Sequence, residues 1–362
     1  HVATGYPGTP STEIIENLAR YEDMDVEWST NEKVAFDVAY GASLAGARAL
    51  VSMKHVGVNV ALDSLMVTPF SGVHGGFVVI TADDPGMHSS QNEQDNRYLA
   101  KFAKLPMLEP SDSQEAKEFV KLAFDISEQF DVPVFLRTTT RTSHSKSVVM
   151  FDEPNRQPPK KYKSDPYKHV VPIHGKGWRK NIEDRLKKLE EFAETFPLNA
   201  VEWNRKDIGI ITSGISYQYA KEVFPAASIL KLGMVYPLPR KMIERFCDAV
   251  KKVYVIEELE PFIEEQLRIF GVKNLNVVGK DVIPNMFELT PDILRRTLLG
   301  TDGRASFDSE ISIPPRPPVM CAGCPHSGVY YALHKLKAVV TGDIGCYTLG
   351  ALHPFNALDT TF

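Results

Sequence analysis

Short apolar, β-branched runs alternate with longer amphipathic stretches over the first 150 residues. The runs His1–Thr4, Asp25–Trp28, Leu50–Met53, Phe77–Thr81 and Val132–Thr138 read as strands, and stretches starting near Pro10, Lys33, Ala61, Asp95 and Asp112 read as helices. Strands that recur with helices between them pair in parallel, because each return crossing lays a helix on a sheet face. The predicted fold class is α/β, multidomain, with doubly wound parallel sheets, and ligands belong at the carboxyl ends of the strands. Thr9 is expected to cap the first helix, with Pro10 at its first position and Glu13 in its first turn.

From Phe151 to about Arg205 the rhythm gives way to a Pro-, Lys- and Arg-rich stretch and one charged helix, roughly Arg179–Phe196. Alternation then resumes, with strands expected over Ile208–Thr212, Ser228–Lys231, Val253–Glu257 and Asn274–Val278 and helices from near Ser216, Pro239 and Pro261. Gly303 and the Pro-rich run Pro314–Pro318 mark an extended connector. The expected division is thus a first domain at 1–150, linker and helix at 151–205, a second domain at 206–300, a connector at 301–318 and the start of a third domain at 319–362. A strand is expected over Ala338–Thr341, but the stretch after Pro318 is too short for a core of roughly 100 residues. The third domain is expected to be cut short at Phe362.

Charge and composition narrow the partners. A formal charge of -5 gives no electrostatic reason to bind nucleic acid, and no apolar run reaches the roughly 18 residues a bilayer span needs. The opening HVATGYPGTP lacks the basic and apolar regions of a signal peptide, so a cytoplasmic address is expected. Four cysteines, two of them in a CxxC, point to metal or redox chemistry ahead of structural disulfides.

Several loops carry chemistry. Gly5-Tyr6-Pro7-Gly8-Thr9-Pro10-Ser11-Thr12 follows a strand and opens a helix, placing hydroxyls beside unpaired helix amides, an arrangement suited to a carboxylate or carbonyl. Glu32 stands at a helix start in Asn31-Glu32-Lys33; His55 and His88 fall beyond predicted strands; Arg137 and Arg141 offer bidentate partners for a carboxylate. Each also has a structural reading, as a turn, a dipole-satisfied carboxylate or a solvated side chain. Cys247, in a helical pattern, reads as a small buried hydrophobe.

Taken in order, GYPGTPST, the Asn31–Lys33 element, Lys54-His55-Val56-Gly57-Val58-Asn59 and the run Asp83–Glu93 resemble the pyrimidine-binding domain of the thiamine-diphosphate-dependent 2-oxoacid:ferredoxin oxidoreductases of the indolepyruvate type. Gly233–Pro239 resembles the transketolase C-terminal domain, and Cys321-Ala322-Gly323-Cys324 followed by Gly342-Asp343-Ile344-Gly345-Cys346 resembles the start of the family's diphosphate-binding domain. The resemblance implies a thiamine-diphosphate-binding fold plus a transketolase C-terminal-like domain. It implies that Glu32 activates the cofactor to its ylid, that His55 moves a proton, and that Glu32, Asn59, Gly342, Asp343, Ile344 and Gly345 bind the cofactor. Thr9, His88 and Ser89 would bind substrate, and Cys321, Cys324 and Cys346 would ligate a [4Fe-4S] cluster, with Mg2+ at the diphosphate.

The implied reaction is oxidative decarboxylation of an aryl pyruvate with coenzyme A, giving aryl-acetyl-CoA, CO2 and reduced ferredoxin, with a small beta subunit as partner. Gly8, where related loops are bulkier, is expected to leave room for an aromatic side chain. A non-oxidative thiamine-dependent decarboxylase or ligase, or a non-catalytic scaffold subunit of the same fold, stays open at this point.

Overall fold

The computed structural model describes residues 1–153, 156–169, 171–272, 277–301, 314–315 and 317–361. The chain divides into two compact units, His1–Arg304 and Ala305–Phe362.

The first unit opens with β1 (Val2–Gly5), α1 (Thr12–Leu18), β2 (Asp25–Trp28), α2 (Glu32–Leu44), β3 (Ala49–Lys54), α3 (His55–Ser71) and β4 (Phe77–Asp83). It continues with α4 (Arg97–Ala103), β5 (Met107–Leu108), α5 (Ser113–Phe130), β6 (Val134–Thr139), α6 (Thr140–His144), α7 (Pro166–His169) and α8 (Val171–Ala193). Its second half holds β7 (Ala200–Glu202), β8 (Arg205–Ser213), α9 (Gly214–Val223), β9 (Ala227–Leu232), β10 (Met234–Tyr236), α10 (Arg240–Ala249), β11 (Lys252–Ile256), α11 (Phe262–Phe270), β12 (Val277–Val278) and α12 (Pro291–Leu294).

Among the described residues, seven strands form one sheet in the order β10-β5-β6-β4-β3-β1-β2, parallel throughout except for β10. A second sheet runs β12-β11-β8-β9-β7, with only the edge strand β7 antiparallel. Every position of β3, β4 and β6 is buried, which is why these strands read as continuous apolar runs rather than as an alternation. At the edge, β2 exposes Asp25, Glu27 and Trp28. A single apolar cluster runs from Phe36, Val51 and Phe77 to Ile211, Val253 and Phe262, so the two sheets share a core.

Several boundaries depart from expectation. Helix α1 starts at Thr12 with Ser11 at its N-cap, so neither Thr9 nor Pro10 holds the position expected of it. Helix α3 starts at His55 rather than near Ala61, directly from the end of β3. The short strands β5, β7 and β10 were not expected, and β10 pairs with β5 in the first sheet, an alignment set by long-range packing rather than by local pattern. The strand expected over Asn274–Val278 is seen at Val277–Val278, the positions from 273 to 276 lying outside the described residues, as does most of the expected connector at 301–318.

In the second unit the described residues form α13 (Pro325–Leu336), β13 (Thr341–Gly342), a 3₁₀ turn at Cys346–Ala351 and β14 (Thr360–Thr361), which pairs in parallel with β13. Tyr330 is buried beneath Gly350, and its hydroxyl donates to the Tyr347 carbonyl at 3.0 Å.

Candidate functional site

Glu32 is the first residue of α2, behind an N-cap in which Asn31 Oδ1 accepts the Val34 N–H at 2.9 Å. The helix is held by its inner face, where Phe36 meets the Phe77 ring edge-on at 5.1 Å. The carboxyl lies against the first turn of α3, and a Cβ added at Gly57 would stand 2.6 Å from both its Cγ and its Oε1. Only glycine lets the α3 backbone come this close. Burial pushes the Glu32 carboxyl above the ordinary carboxylate range, its own backbone amide opposing this in part. Among the described residues no lysine, arginine or histidine nitrogen lies within 4 Å of it. The result is a half-buried carboxyl, braced from behind and without a counter-charge, at the carboxyl end of a parallel sheet.

Beside it, the loops after β1 and β4 meet. The Gly8 N–H donates to Thr12 Oγ1 at 2.9 Å and Ser11 Oγ donates to the Gly8 carbonyl at 2.7 Å, which shapes the turn and leaves Thr9 exposed. Ser89 Oγ reaches the Thr9 carbonyl at 3.4 Å, so the structure brings these two expected substrate residues together. Asp84 organises the second loop, accepting from the Ser89 N–H at 2.9 Å, Ser90 Oγ at 2.5 Å and Thr140 Oγ1 at 2.7 Å. Burial raises its carboxyl, but these hydrogen bonds outweigh that and hold it below the usual range.

Lys54, the last residue of β3, was missed in the sequence. It is 8% exposed, and its Nζ donates to the Ser89 carbonyl at 2.5 Å. Its stem runs under Gly8, where an added Cβ would lie 3.1 Å from Lys54 Cβ. The face left free by Gly8 is therefore filled by lysine, not open for an aromatic side chain. A lysine closing an otherwise apolar strand was the available signal.

The other candidates are placed differently from expectation or apart from one another. His55 is not in a loop; it begins α3, fully buried, with Nε2 at 3.2 Å from Asn92 Oδ1 and Nδ1 buried without a partner. His88 is exposed, its Nε2 3.4 Å from Glu288 Oε2. Asn59 exchanges amide hydrogen bonds of 2.8 and 2.9 Å with Gln94. Neither arginine offered for a ligand carboxylate is free. Arg137 is 1% exposed and pairs through Nε with Asp83 at 2.7 Å and through Nη1 with Glu109, while Arg141 pairs with Glu288 at 2.5 Å.

Arg137 belongs to a buried ionic network that sequence reasoning did not anticipate. Arg97 binds Asp95 at 2.5 Å and Glu257 at 2.6 Å, and donates to the carbonyls of Glu258 and Glu260 at 2.8 and 3.0 Å. Ser213 Oγ donates to Glu109 at 2.9 Å. Asp83, Glu109 and Arg137 stand at strand ends of the first sheet, and Ser213 and Glu257 at those of the second, so the network ties the two sheets together. Burial pushes Glu258, beside it, up to about 7. Cys247 is buried, as expected, and burial pushes its thiol up to about 12.

In the second unit Cys321, Cys324 and Cys346 are free thiols. The Cys324 N–H donates to the Cys321 carbonyl at 3.0 Å, closing the CxxC turn through Gly323 at φ +75°. Among the described residues no three His, Cys, Asp or Glu gather to hold a metal ion, so the trio as placed does not form a cluster-binding set. Gly342 ends β13 and packs on Leu358, and Asp343 Oδ1 accepts the Ile344 N–H at 2.8 Å ahead of Gly345 at φ +121°. No helix among the described residues is long and apolar enough to cross a membrane.

The parallel α/β sheets are those of a thiamine-diphosphate-binding fold, as similarity to known proteins shows. A solved 2-oxoglutarate:ferredoxin oxidoreductase from Magnetococcus marinus, with 2-oxoglutarate, coenzyme A and succinyl-CoA bound, is similar with a TM-score of 0.59 at 15% identity, over 83% of this chain and 62% of that one. A split-gene transketolase, an inactive beta4 tetramer, is similar with a TM-score of 0.50 at 13% identity, over 82% of this chain and 86% of the other. Residues 1–183 match the family described as pyruvate flavodoxin/ferredoxin oxidoreductase, thiamine diphosphate-binding, and the chain belongs to it. Among curated relatives, indolepyruvate oxidoreductase subunit IorA of Archaeoglobus fulgidus is 41% identical over 99% of this chain and 63% of its own length, and that of Thermococcus kodakarensis 42% identical over 99% and 61%. The chain thus spans about three fifths of the length of these relatives.

Proposed function

We propose that this chain forms the pyrimidine-side part of the thiamine diphosphate site in an indolepyruvate-type 2-oxoacid:ferredoxin oxidoreductase. The reaction converts an aryl pyruvate and coenzyme A to aryl-acetyl-CoA and CO2, and passes two electrons singly to ferredoxin. The observation that carries the reading is the Glu32 carboxyl, braced by Gly57, raised by burial and, among the described residues, without a counter-charge within 4 Å. Such a group fits one edge of an aminopyrimidine, because raising the carboxyl brings its proton affinity closer to that of a ring nitrogen, so that the two can share a proton. When bound, thiamine diphosphate supplies the nucleophilic carbon and the electron sink that decarboxylation of a 2-oxoacid needs.

The chain's own residues bind and orient. Glu32 holds the ring and a proton at its Oε atoms; Thr9 and Ser89, joined across two loops, face the substrate with exposed His88 near them; His55, buried against Asn92 with Nδ1 unpaired among the described residues, moves a proton. Cofactor binding by Asn59, and separately by the turn Gly342–Gly345, and Mg2+ at the diphosphate belong to this reading by likeness to the family. Ligation of a [4Fe-4S] cluster by Cys321, Cys324 and Cys346, a small beta subunit and ferredoxin as partners, and a cytoplasmic location belong to the same proposal. They are supported by likeness to the relatives rather than by the arrangement of the thiols.

The test is Glu32→Gln in the complete oxidoreductase, assayed by 2-oxoacid-dependent reduction of ferredoxin. Turnover should fall by about 10²- to 10⁴-fold, the usual reach of a positioned acid–base group, with unfolding unchanged. Full turnover in this variant would overturn the reading.

A further inference from the structure

Lys54 is nearly buried, and a buried ammonium is costly unless it is paired. Among the described residues no carboxylate oxygen lies within 4 Å of its Nζ, and Asp84, its nearest opposite charge, is already engaged by Ser89, Ser90 and Thr140. One of its three donors goes to the Ser89 carbonyl at 2.5 Å, leaving two without an acceptor among the described residues. Gly8 keeps the stem's path clear on one side. The lysine also stands at the N-cap of α3, a helix of 17 residues with no side-chain cap, so unpaired amides and the positive end of the helix dipole add to its field. An uncompensated buried cation, free donors and a helix start without a side-chain cap together suit an anion here.

The neighbours say which anion. Ser89, which accepts from the lysine, reaches the Thr9 carbonyl with its hydroxyl, and one turn along α3 Gly57 braces Glu32. The other cations at this end of the first sheet are taken, Arg97 by Asp95 and Glu257, Arg137 by Asp83 and Glu109, and Arg141 by Glu288. We propose that Lys54 receives the carboxylate of the 2-oxoacid, orienting it between the Thr9 and Ser89 loops beside the cofactor ring held by Glu32. This rests on the function proposed above and names the substrate-orienting cation within it.

The experiment uses the complete oxidoreductase with Lys54→Met, which keeps the stem under Gly8 and removes the charge, and Lys54→Gln as a second variant. KM for the aryl pyruvate should rise roughly 10- to 100-fold, the worth of a charge-assisted hydrogen bond, with kcat changed far less. The dissociation constant for thiamine diphosphate, measured by calorimetry, should stay within about twofold, which reports an intact fold and cofactor site. Unchanged KM in both variants, or weakened cofactor binding in place of weakened substrate binding, overturns the assignment. Glu32→Gln run alongside separates the two levels: if it is inactive while Lys54→Met keeps the wild-type KM, only the lysine's role falls, and if it turns over normally the underlying function falls too.

Discussion

Gly57→Ala probes the site's central contact with a single methyl group. The added Cβ would lie 2.6 Å from Glu32 Cγ and Oε1 and 2.9 Å from Cδ, where 3.4–4 Å is ordinary contact, so the carboxyl must retreat by nearly an ångström. Displacement on this scale at a group aligned with a reacting centre costs on the order of 10²-fold in rate. The effect on folding has the opposite sign. Gly57 sits in the first turn of a 17-residue helix, and alanine favours helix over glycine by about 1 kcal/mol, so the variant should unfold no more easily than the parent once the Glu32 side chain has moved. The assay is 2-oxoacid-dependent ferredoxin reduction, read with thermal unfolding and with the double variant Gly57→Ala, Glu32→Asp. Aspartate is shorter by one methylene and clears the methyl group, so the double variant should lose less than the product of the two single losses. Wild-type turnover in Gly57→Ala would refute the reasoning, and so would losses that simply multiply.

Other perturbations test the frame around the site. Burial displaces Glu258 from 4.5 to about 7, so its favourable contribution is present below the unfolded value and is lost as pH rises through about 7; Glu258→Gln, which still accepts the Leu289 N–H, should match wild type near pH 4.5 and exceed it by about 3 kcal/mol at pH 8 in denaturant unfolding. Identical pH profiles for the two proteins would contradict this. Arg137→Met strands Asp83 and Glu109 without their cation, and it should cost about 3–5 kcal/mol by the same measurement. Asn31→Ala removes the cap of α2 and should cost about 1 kcal/mol, with a loss of turnover if the cap also fixes Glu32.

The frame was legible wherever local pattern decides it. Strands buried on both faces, such as Phe77–Asp83, carry their own signature, and the parallel order follows from the helices between them. The position of Glu32 at a helix start was legible from the Asn31-Glu32-Lys33 pattern that follows the strand ending at Trp28. His55 was placed wrongly because nothing local says that α3 begins the moment β3 ends. Lys54 was overlooked because a lysine beside a histidine resembles any solvated loop end, and only the packing of Gly8 and Ser89 reveals that it is enclosed. The pairing of β10 with β5 joins residues more than a hundred positions apart, and no window of sequence contains both.

Partnership separates the charges that hold this fold from those that act in it. Arg97 and Arg137 are each only 1% exposed, yet each has carboxylates in contact, and their partners are drawn from both sheets. Truncating either leaves a charge stranded, so their loss is felt in stability. Glu32 and Lys54 are enclosed to a lesser degree, and each stands at the carboxyl ends of the strands with no opposite charge in contact among the described residues. A carboxyl raised by burial and an ammonium lowered by it have each lost solvation without gaining an ion pair, an unfavourable arrangement for the isolated chain. Cofactor and substrate supply what is missing in the proposed function, a ring nitrogen for the first and a carboxylate for the second. Glu32 opens α2 and Lys54 caps α3, and Gly57 in the first turn of α3 packs on Glu32, so the packing of these two helix starts sets the distance between ring and substrate in this reading, and an uncompensated pair of this kind is where selection for activity prevails over selection for stability.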